Sequence, residues 1–368
     1  MRITFPHIGN FHIALKHFLR ELGHEVIPPP PTSSHTASLG ARYAPESACY
    51  PLKLTMGNLI QGISQGADSV FMAGGIGPCR FGFYAQLQRH VLAALGHSVE
   101  FLILEPPAGG LTVTAASLKK LLKGVSLGQL VRATKGAWLK CVAIDDLERA
   151  AALLRAREAA PGSVDRVLAG GLESLDTASS ERDISSVWQE CLCQMRQVPR
   201  CRTHHAPPVV GIVGEIFMVL DSFANKGVER KLGAMGIQVV RFLRASEWVK
   251  SNLFPVCAAH DLEEEILKAA QPYTTAFFGG HGRESVGAAA LMCRRNVDGL
   301  VHVMPFTCMP EIAASAMLQS LEAEYRVPVL RLSLDEHTAE VGFNTRLEAF
   351  ADLVHERSSN RWRNCTLE

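Results

Sequence analysis

No stretch of the 368-residue chain approaches the roughly 18 or more consecutive apolar residues of a membrane-spanning helix. The N-terminal residues MRITFPHIGNF also lack the cationic and apolar regions of a leader. Together these absences predict a cytoplasmic protein without a membrane role. Charge of one sign is missing as well: 37 Lys and Arg against 36 Asp and Glu leave a formal net charge of +1. There is no bulk basic field to hold nucleic acid or an anionic membrane. The usual nucleotide loops are absent too. No GxxxxGKS or GxxxxGKT run occurs, and GGIGPCRFG fails the dinucleotide fingerprint because Pro78 and Cys79 displace its later glycines. Neither ATP nor NAD is expected to bind through such loops.

Hydrophobic residues at 47% and charged residues at 20% describe an ordinary globular chain, and the length favours two domains. Residues 70–84, VFMAGGIGPCRFGFY, read as a buried strand that halts at Gly74-Gly75, turns through Gly77-Pro78 and delivers Cys79-Arg80. Residues 299–311, GLVHVMPFTCMPE, repeat the plan with Pro305, Cys308 and a helix opened by Pro310. Open α/β sheets place their chemistry at the carboxyl tips of strands. Two cysteines therefore occupy matching ends of matching strands.

Around these stretches the patterns alternate. Strands are predicted at 2–5, 24–27, 69–73 and 99–104, with helices at 11–22, 52–65 and 82–95; residues 33–48 are too polar and turn-rich for a strand. From Gly109 to about His205, Ala, Leu, Lys, Glu and Arg dominate, with helical patterns at 114–122, 130–134, 147–159 and 183–196. At Pro207-Pro208 the alternation restarts, with strands at 209–213, 237–242, 300–304 and 327–332, and 274–278 compatible with one more. GIVGEIF parallels ITFPHIGNF, GMGIQVVRF parallels LGHEVIP, VDGLVHVMPFTC parallels ADSVFMAGGIGPC, and VPVLRLSLDE parallels VEFLILEPP. The expected fold is α/β: two flavodoxin- or Rossmann-like parallel-sheet lobes, 1–108 and 207–368, related by pseudo-symmetry, with a helical insertion at 109–206.

Ten cysteines in a reducing compartment argue against structural disulfides. Cys49, Cys79 and Cys308 lie beside Gly or Pro turns, whereas Cys141 and Cys293 fall in apolar or helical patterns typical of buried thiols. Thiolates presented by rigid turns suit a soft cation or an iron-sulfur cluster. Cys79 and Cys308 are expected to face each other across a cleft between the lobes and to share one metal centre. Spacing alone leaves unrelated buried thiols equally open. Cys191, Cys193 and Cys201 form a CxC-x7-C group without flanking glycine, and read as ordinary thiols. Arg80 follows Cys79 directly, Lys53 lies one helical turn after Cys49, and His281 stands in the turn GGHGRES, whose N–H groups suit an anion. Arg80 and His281 are thus candidate cofactor-binding residues, although a tight packing turn is the commoner explanation of GGHGRES. Asp335-Glu336-His337 with Arg346 reads as a salt-bridged lock holding the lobes, ahead of a catalytic role.

The segments ARYAPESACYPLKLTMGN, GADSVFMAGGIGPCRFGFY, VGEIFMVLDSFAN, GGHGRES, MPFTCMPE and DEHTAEVGFNTRLEAF resemble the family related to component D of 2-hydroxyglutaryl-CoA dehydratase. The likeness is strongest to its acyl-CoA dehydratase activase-related, or CoA protein activase, branch, and extends to the double-cubane cluster proteins. It implies two flavodoxin-like lobes holding an oxygen-sensitive cluster at their interface. Mapped by motif, Cys49, Cys79 and Cys308 are then the ligands of a [4Fe-4S] cluster with one open iron. The double-cubane relatives hold an [8Fe-9S] centre with more thiolates, and three cysteines in such contexts favour the single cubane. The implied partner is an ATP-hydrolysing activase of the sugar kinase/Hsp70/actin superfamily, supplying low-potential electrons for reductive or radical chemistry of the 2-hydroxyacyl-CoA dehydratase type. That places ATP chemistry on another protein, in keeping with the absent loops. A homodimer, or a heterodimer with a homologous subunit, is also implied. A non-catalytic electron-relay or cluster-transfer subunit, and a zinc site that only ties the lobes, are the rival readings.

Overall fold

The apolar runs become eight strands in two parallel sheets. The computed structural model of the chain describes residues 1–75, 77–105, 111–201, 205–253 and 261–365. The first sheet contains β1 (Arg2–Thr4), β2 (Glu25–Val26), β3 (Ser69–Ala73) and β4 (Glu100–Leu104) in the order β2-β1-β3-β4. The second contains β5 (Val209–Gly214), β6 (Gln238–Val240), β7 (Gly299–Pro305) and β8 (Val329–Leu334) in the order β6-β5-β7-β8. The two orders are the same, as the paired segments predict. Parallel strands need crossovers, and helices on both faces explain why β3 and β7 are almost continuously apolar and buried.

The crossovers of the first lobe are α1 (His12–Glu21), α2 (Ser34–Tyr43), α3 (Tyr50–Ser64) and α4 (Tyr84–Ala94). Then come α5 (Leu111–Leu121), α6 (Leu127–Leu154), α7 (Ser163–Thr177) and α8 (Glu181–Gln197). Later in the chain come α9 (Ile216–Leu220), α10 (Val228–Ala234), α11 (Ala245–Leu253), α12 (Asp261–Ala270), α13 (Gly282–Arg294), α14 (Met309–Tyr325) and α15 (Glu340–Cys365). In each sheet the order reverses beside the first strand. A crevice therefore opens at the carboxyl ends of β1 and β3, and again at those of β5 and β7.

A shared detail ties the two lobes to one plan. Asp68, just before β3, accepts the Arg2 N–H at 2.9 Å, and Asp298, just before β7, accepts the Val209 N–H at 2.8 Å. Each aspartate anchors the amino end of the neighbouring first strand.

Several elements differ from the sequence reading. Residues 34–43 form helix α2, because Ser33 and Thr36 make a reciprocal capping box that a polar, glycine-containing run does not advertise. The separate helices expected at 130–134 and 147–159 belong largely to one 28-residue helix, α6. Residues 274–278 join no sheet, and α7 has no counterpart in the predicted pattern. The lobe end expected at residue 108 lies outside the described residues. By contacts the chain divides into Met1–Ile144 with Ser174–Ser186 and Ala245–Ala258, and Asp145–Glu173 with Val187–Arg244 and Ala259–Glu368. Part of the predicted insertion thus packs on the second lobe, where Arg241 pairs with Glu148 of α6 and Glu229 of α10.

Glycines set the crossing of α2 on α3. A Cβ at Gly40 would stand 1.6 Å from the Lys53 carbonyl oxygen, and one at Gly57 would stand 2.0 Å from that of Thr36. Alanine at position 40 would gain about 1 kcal/mol of helix propensity. Overpacking costs about 1–3 kcal/mol, and a backbone carbonyl has little freedom to give way. Gly40→Ala is therefore expected to lower the thermal midpoint, as read by circular dichroism, and to displace the N-terminus of α3. The second lobe repeats the device: a Cβ at Gly287 of α13 would meet the Ile266 carbonyl oxygen of α12 at 2.0 Å.

Candidate functional site

The N-terminus of α3, which leads into β3, carries Cys49 as its cap; Cys79 caps the short 3-10 turn Arg80–Phe83 that follows β3. Both positions lie at the carboxyl edge of the first sheet, beside its switch point. Their backbones are extended, with φ −67° and ψ 153° at Cys49 and φ −68° and ψ 130° at Cys79, and neither side chain caps its own helix.

Hydrogen bonds join these turns. Arg80 donates from Nη1 to the Ser47 carbonyl at 2.8 Å, two residues before Cys49. Tyr84, the first residue of α4, places its hydroxyl 2.7 Å from the Cys49 sulfur. The first lobe therefore brings the Cys49 and Cys79 turns together, and the side chain of Arg80 acts there as a brace between them.

In the second lobe Cys308 caps α14 after β7, the place Cys79 holds after β3. Its backbone is again extended, at φ −75° and ψ 106°, with no side-chain cap bond. Cys49 and Cys308 share a further detail: proline stands at the second helical position, Pro51 and Pro310, where a missing N–H is harmless. Thr307, immediately before Cys308, has φ +67°. A β-branched residue in the left-handed region is strained, and such strain concentrates at functional turns. His281 caps α13, the helix leading into β7. It thereby takes in the second lobe the position that Cys49 takes in the first, an equivalence the motif spacing did not reveal.

Beneath Cys308 lies a buried polar network that sequence reasoning missed entirely. Glu311, in the first turn of α14, accepts from Ser285 Oγ at 3.1 Å, and its other oxygen lies 2.7 Å from His302 Nε2 on β7. Ser285 Oγ also reaches the Gly214 carbonyl at 3.3 Å. Glu311 is 1% and His302 0% exposed. The arrangement locks the Cys308 turn to α13 and to the end of β5. The only local signals were a histidine inside an apolar strand and a glutamate three residues after a cysteine.

Glu215 follows β5 and caps α9, accepting from Phe217 N at 3.1 Å and Met218 N at 3.0 Å. Burial, with the Glu311 charge adding to it, pushes its carboxyl up from 4.5 to about 7 despite those two donors. A carboxyl raised on folding binds its proton more tightly in the native state. Its contribution to stability is complete below pH 4.5 and is lost as the pH rises to about 7. Glu215→Gln is expected to remove up to about 3 kcal/mol of this pH dependence; urea denaturation at pH 4.5, 6 and 7.5 measures it.

The remaining thiols do not converge. Cys191 donates to Val167 O, Cys193 accepts from Gln197 Nε2, and Cys201 donates to Glu158 O. Burial raises the thiols of Cys191 and Cys293, the latter to about 11, which disfavours the thiolate form that a metal takes. All eight cysteines of the described side chains are free thiols. Asp335 accepts from His337 N and Thr338 Oγ1, and Arg346 donates to Arg331 O, so these bonds stay within the second lobe. Among the described residues no group of three or more His, Cys, Asp or Glu stands together to hold a metal. The donor chemistry fits a thiolate-bound centre, whereas the first lobe by itself offers two sulfurs.

Residues 7–74 match the family model of the CoA enzyme activase uncharacterised domain. The match begins in the turn after β1, ends at the close of β3 and includes Cys49. It fits the activase-related and 2-hydroxyacyl-CoA dehydratase resemblance in broad terms over that stretch. No curated protein matches the chain. Among the described residues no helix is long and apolar enough to cross a membrane.

Proposed function

We propose that this chain is an iron-sulfur protein in which Cys49, Cys79 and Cys308 ligate a [4Fe-4S]-type cluster, and which takes low-potential electrons from an ATP-hydrolysing activase for chemistry on an acyl-CoA-type substrate. The observation that carries the reading is the cross-braced pair of cysteine turns at the switch point of the first sheet. Cys308 supports it from the equivalent turn of the second sheet. When bound, such a group supplies one-electron transfer and an open iron for a substrate oxygen. The chain's own residues hold the sulfurs in place: Arg80 through Ser47, Tyr84 through Cys49, and Glu311 through the α14 N-terminus.

A partner is supported by large apolar side chains left in solvent around both cysteine turns. Phe83 is 71% exposed beside the first, and Phe306, Met309 and Ile312 are 58%, 57% and 54% exposed beside the second. Met309 and Ile312, one helical turn apart, share a face of α14. Exposed apolar groups beside each turn mark surfaces that another protein covers.

The test is anaerobic reconstitution with ferrous iron and sulfide, followed by metal and sulfide analysis and EPR with and without activase and ATP. A brown protein with an EPR signal that changes on adding activase and ATP is expected. A colourless protein, or one that takes up only zinc, overturns the proposal. A loaded protein that leaves the rate of acyl-CoA reduction unchanged would instead be an electron relay.

A further inference from the structure

We propose that Tyr84 is a positioning residue for the Cys49 sulfur, and that its hydroxyl tunes the reduction potential of the centre this sulfur ligates. The inference rests on the iron-sulfur reading above. Its basis is the 2.7 Å separation of Tyr84 Oη and Cys49 Sγ, with Tyr84 4% and Cys49 8% exposed. Either atom can donate while the sulfur carries a proton. Once the sulfur is a metal-bound thiolate it has no proton, so the phenol alone can donate. The bond is thus at its strongest in the ligating state, since hydrogen bonds to charged acceptors exceed neutral ones.

The surroundings fix this geometry. Tyr84 packs edge-on against Phe81, with ring centres 5.2 Å apart, within the segment that starts at Cys79. The ring therefore cannot swing away without disturbing the second cysteine turn. One phenol holds the Cys49 sulfur in register with the turn that carries Cys79. Reduction adds negative charge to cluster and sulfurs, and a donor stabilises the more negative form. A hydrogen bond to a ligating sulfur accordingly raises the potential.

The experiment uses the full chain, reconstituted anaerobically as wild type, Tyr84→Phe and Phe81→Leu, with iron content and an EPR-monitored redox titration as readouts. Tyr84→Phe keeps the ring and removes only the donor. It is expected to bind as much iron as wild type, yet at the wild-type midpoint its reduced-to-oxidised ratio should fall about tenfold, the scale of one hydrogen bond to a charged group. Phe81→Leu keeps the hydroxyl and loosens only its packing, and should shift the midpoint in the same direction but by clearly less than Tyr84→Phe. Equal midpoints in wild type and Tyr84→Phe overturn the inference while the iron-sulfur reading stands. A Phe81→Leu shift as large as that of Tyr84→Phe makes the effect one of packing, and also overturns it. A wild type that takes up no iron overturns both.

Discussion

Cys79→Ser and Cys308→Ser are each expected to lose most of the iron that the reconstituted wild type binds, while Cys141→Ser retains it. Serine preserves size and hydrogen bonding but replaces a soft thiolate with a hard hydroxyl that stays protonated near neutral pH. Each variant removes one of the three sulfurs assigned by motif, so the loss should be nearly complete. Cys141, on α6, is buried at 3% exposure and serves as the control for nonspecific thiol binding. Iron and sulfide analysis with EPR reads the outcome. Equal retention in all three variants would overturn the ligand assignment. Loss in Cys49→Ser and Cys79→Ser with retention in Cys308→Ser would confine the ligands to the first lobe.

Glu311→Ala is expected to destabilise the second lobe by about 2–5 kcal/mol. Alanine leaves His302 Nε2 and Ser285 Oγ facing the site of a lost carboxylate, in a region where His302 and Glu311 are almost fully buried. Unpaired buried polar groups account for most of that loss. Glu311→Gln keeps an acceptor and should recover a large part of it. Replacing both partners, as in His302→Phe with Glu311→Leu, should lose less than the two single alanine variants combined, because only Ser285 Oγ is left and it keeps the Gly214 carbonyl as acceptor. Chemical denaturation followed by hydrogen exchange on β7 separates these cases. Identical stabilities for Glu311→Ala and wild type would show that water enters and satisfies the network. The loss should also loosen the turn that presents Cys308.

Much of the architecture was legible because its signals are local. The apolar runs at 69–73 and 299–305 end in Gly or Pro turns, and a chain that repeats such runs with helices between them must build parallel sheets. The matched pairs of segments foretold that both sheets would share one strand order. Elements whose stability comes from packing were hidden. Helix α2 has little apolar periodicity, and forms because glycine lets it lie directly on α3. Helix α6 continues through Gly136, where a Cβ would meet His17 Nε2 at 2.2 Å, so the glycine serves a close contact that the local pattern does not record. The residues 274–278 look like a strand but find no neighbour to pair with.

The candidate site divides in the same way. Sequence by itself determined the parallel lobes, their duplication and the placing of Cys79 and Cys308 at strand ends, since strand, turn and residue type are all written within a dozen consecutive positions. Only the tertiary structure decided that Tyr84 meets Cys49 across 35 residues, that Arg80 braces Ser47, and that Ser285, His302 and Glu311 share one buried network. These depend on crossover helices laying distant segments side by side. No local pattern records that distance in space, because hydrogen bonds form between whatever groups packing brings within 3 Å or so of each other.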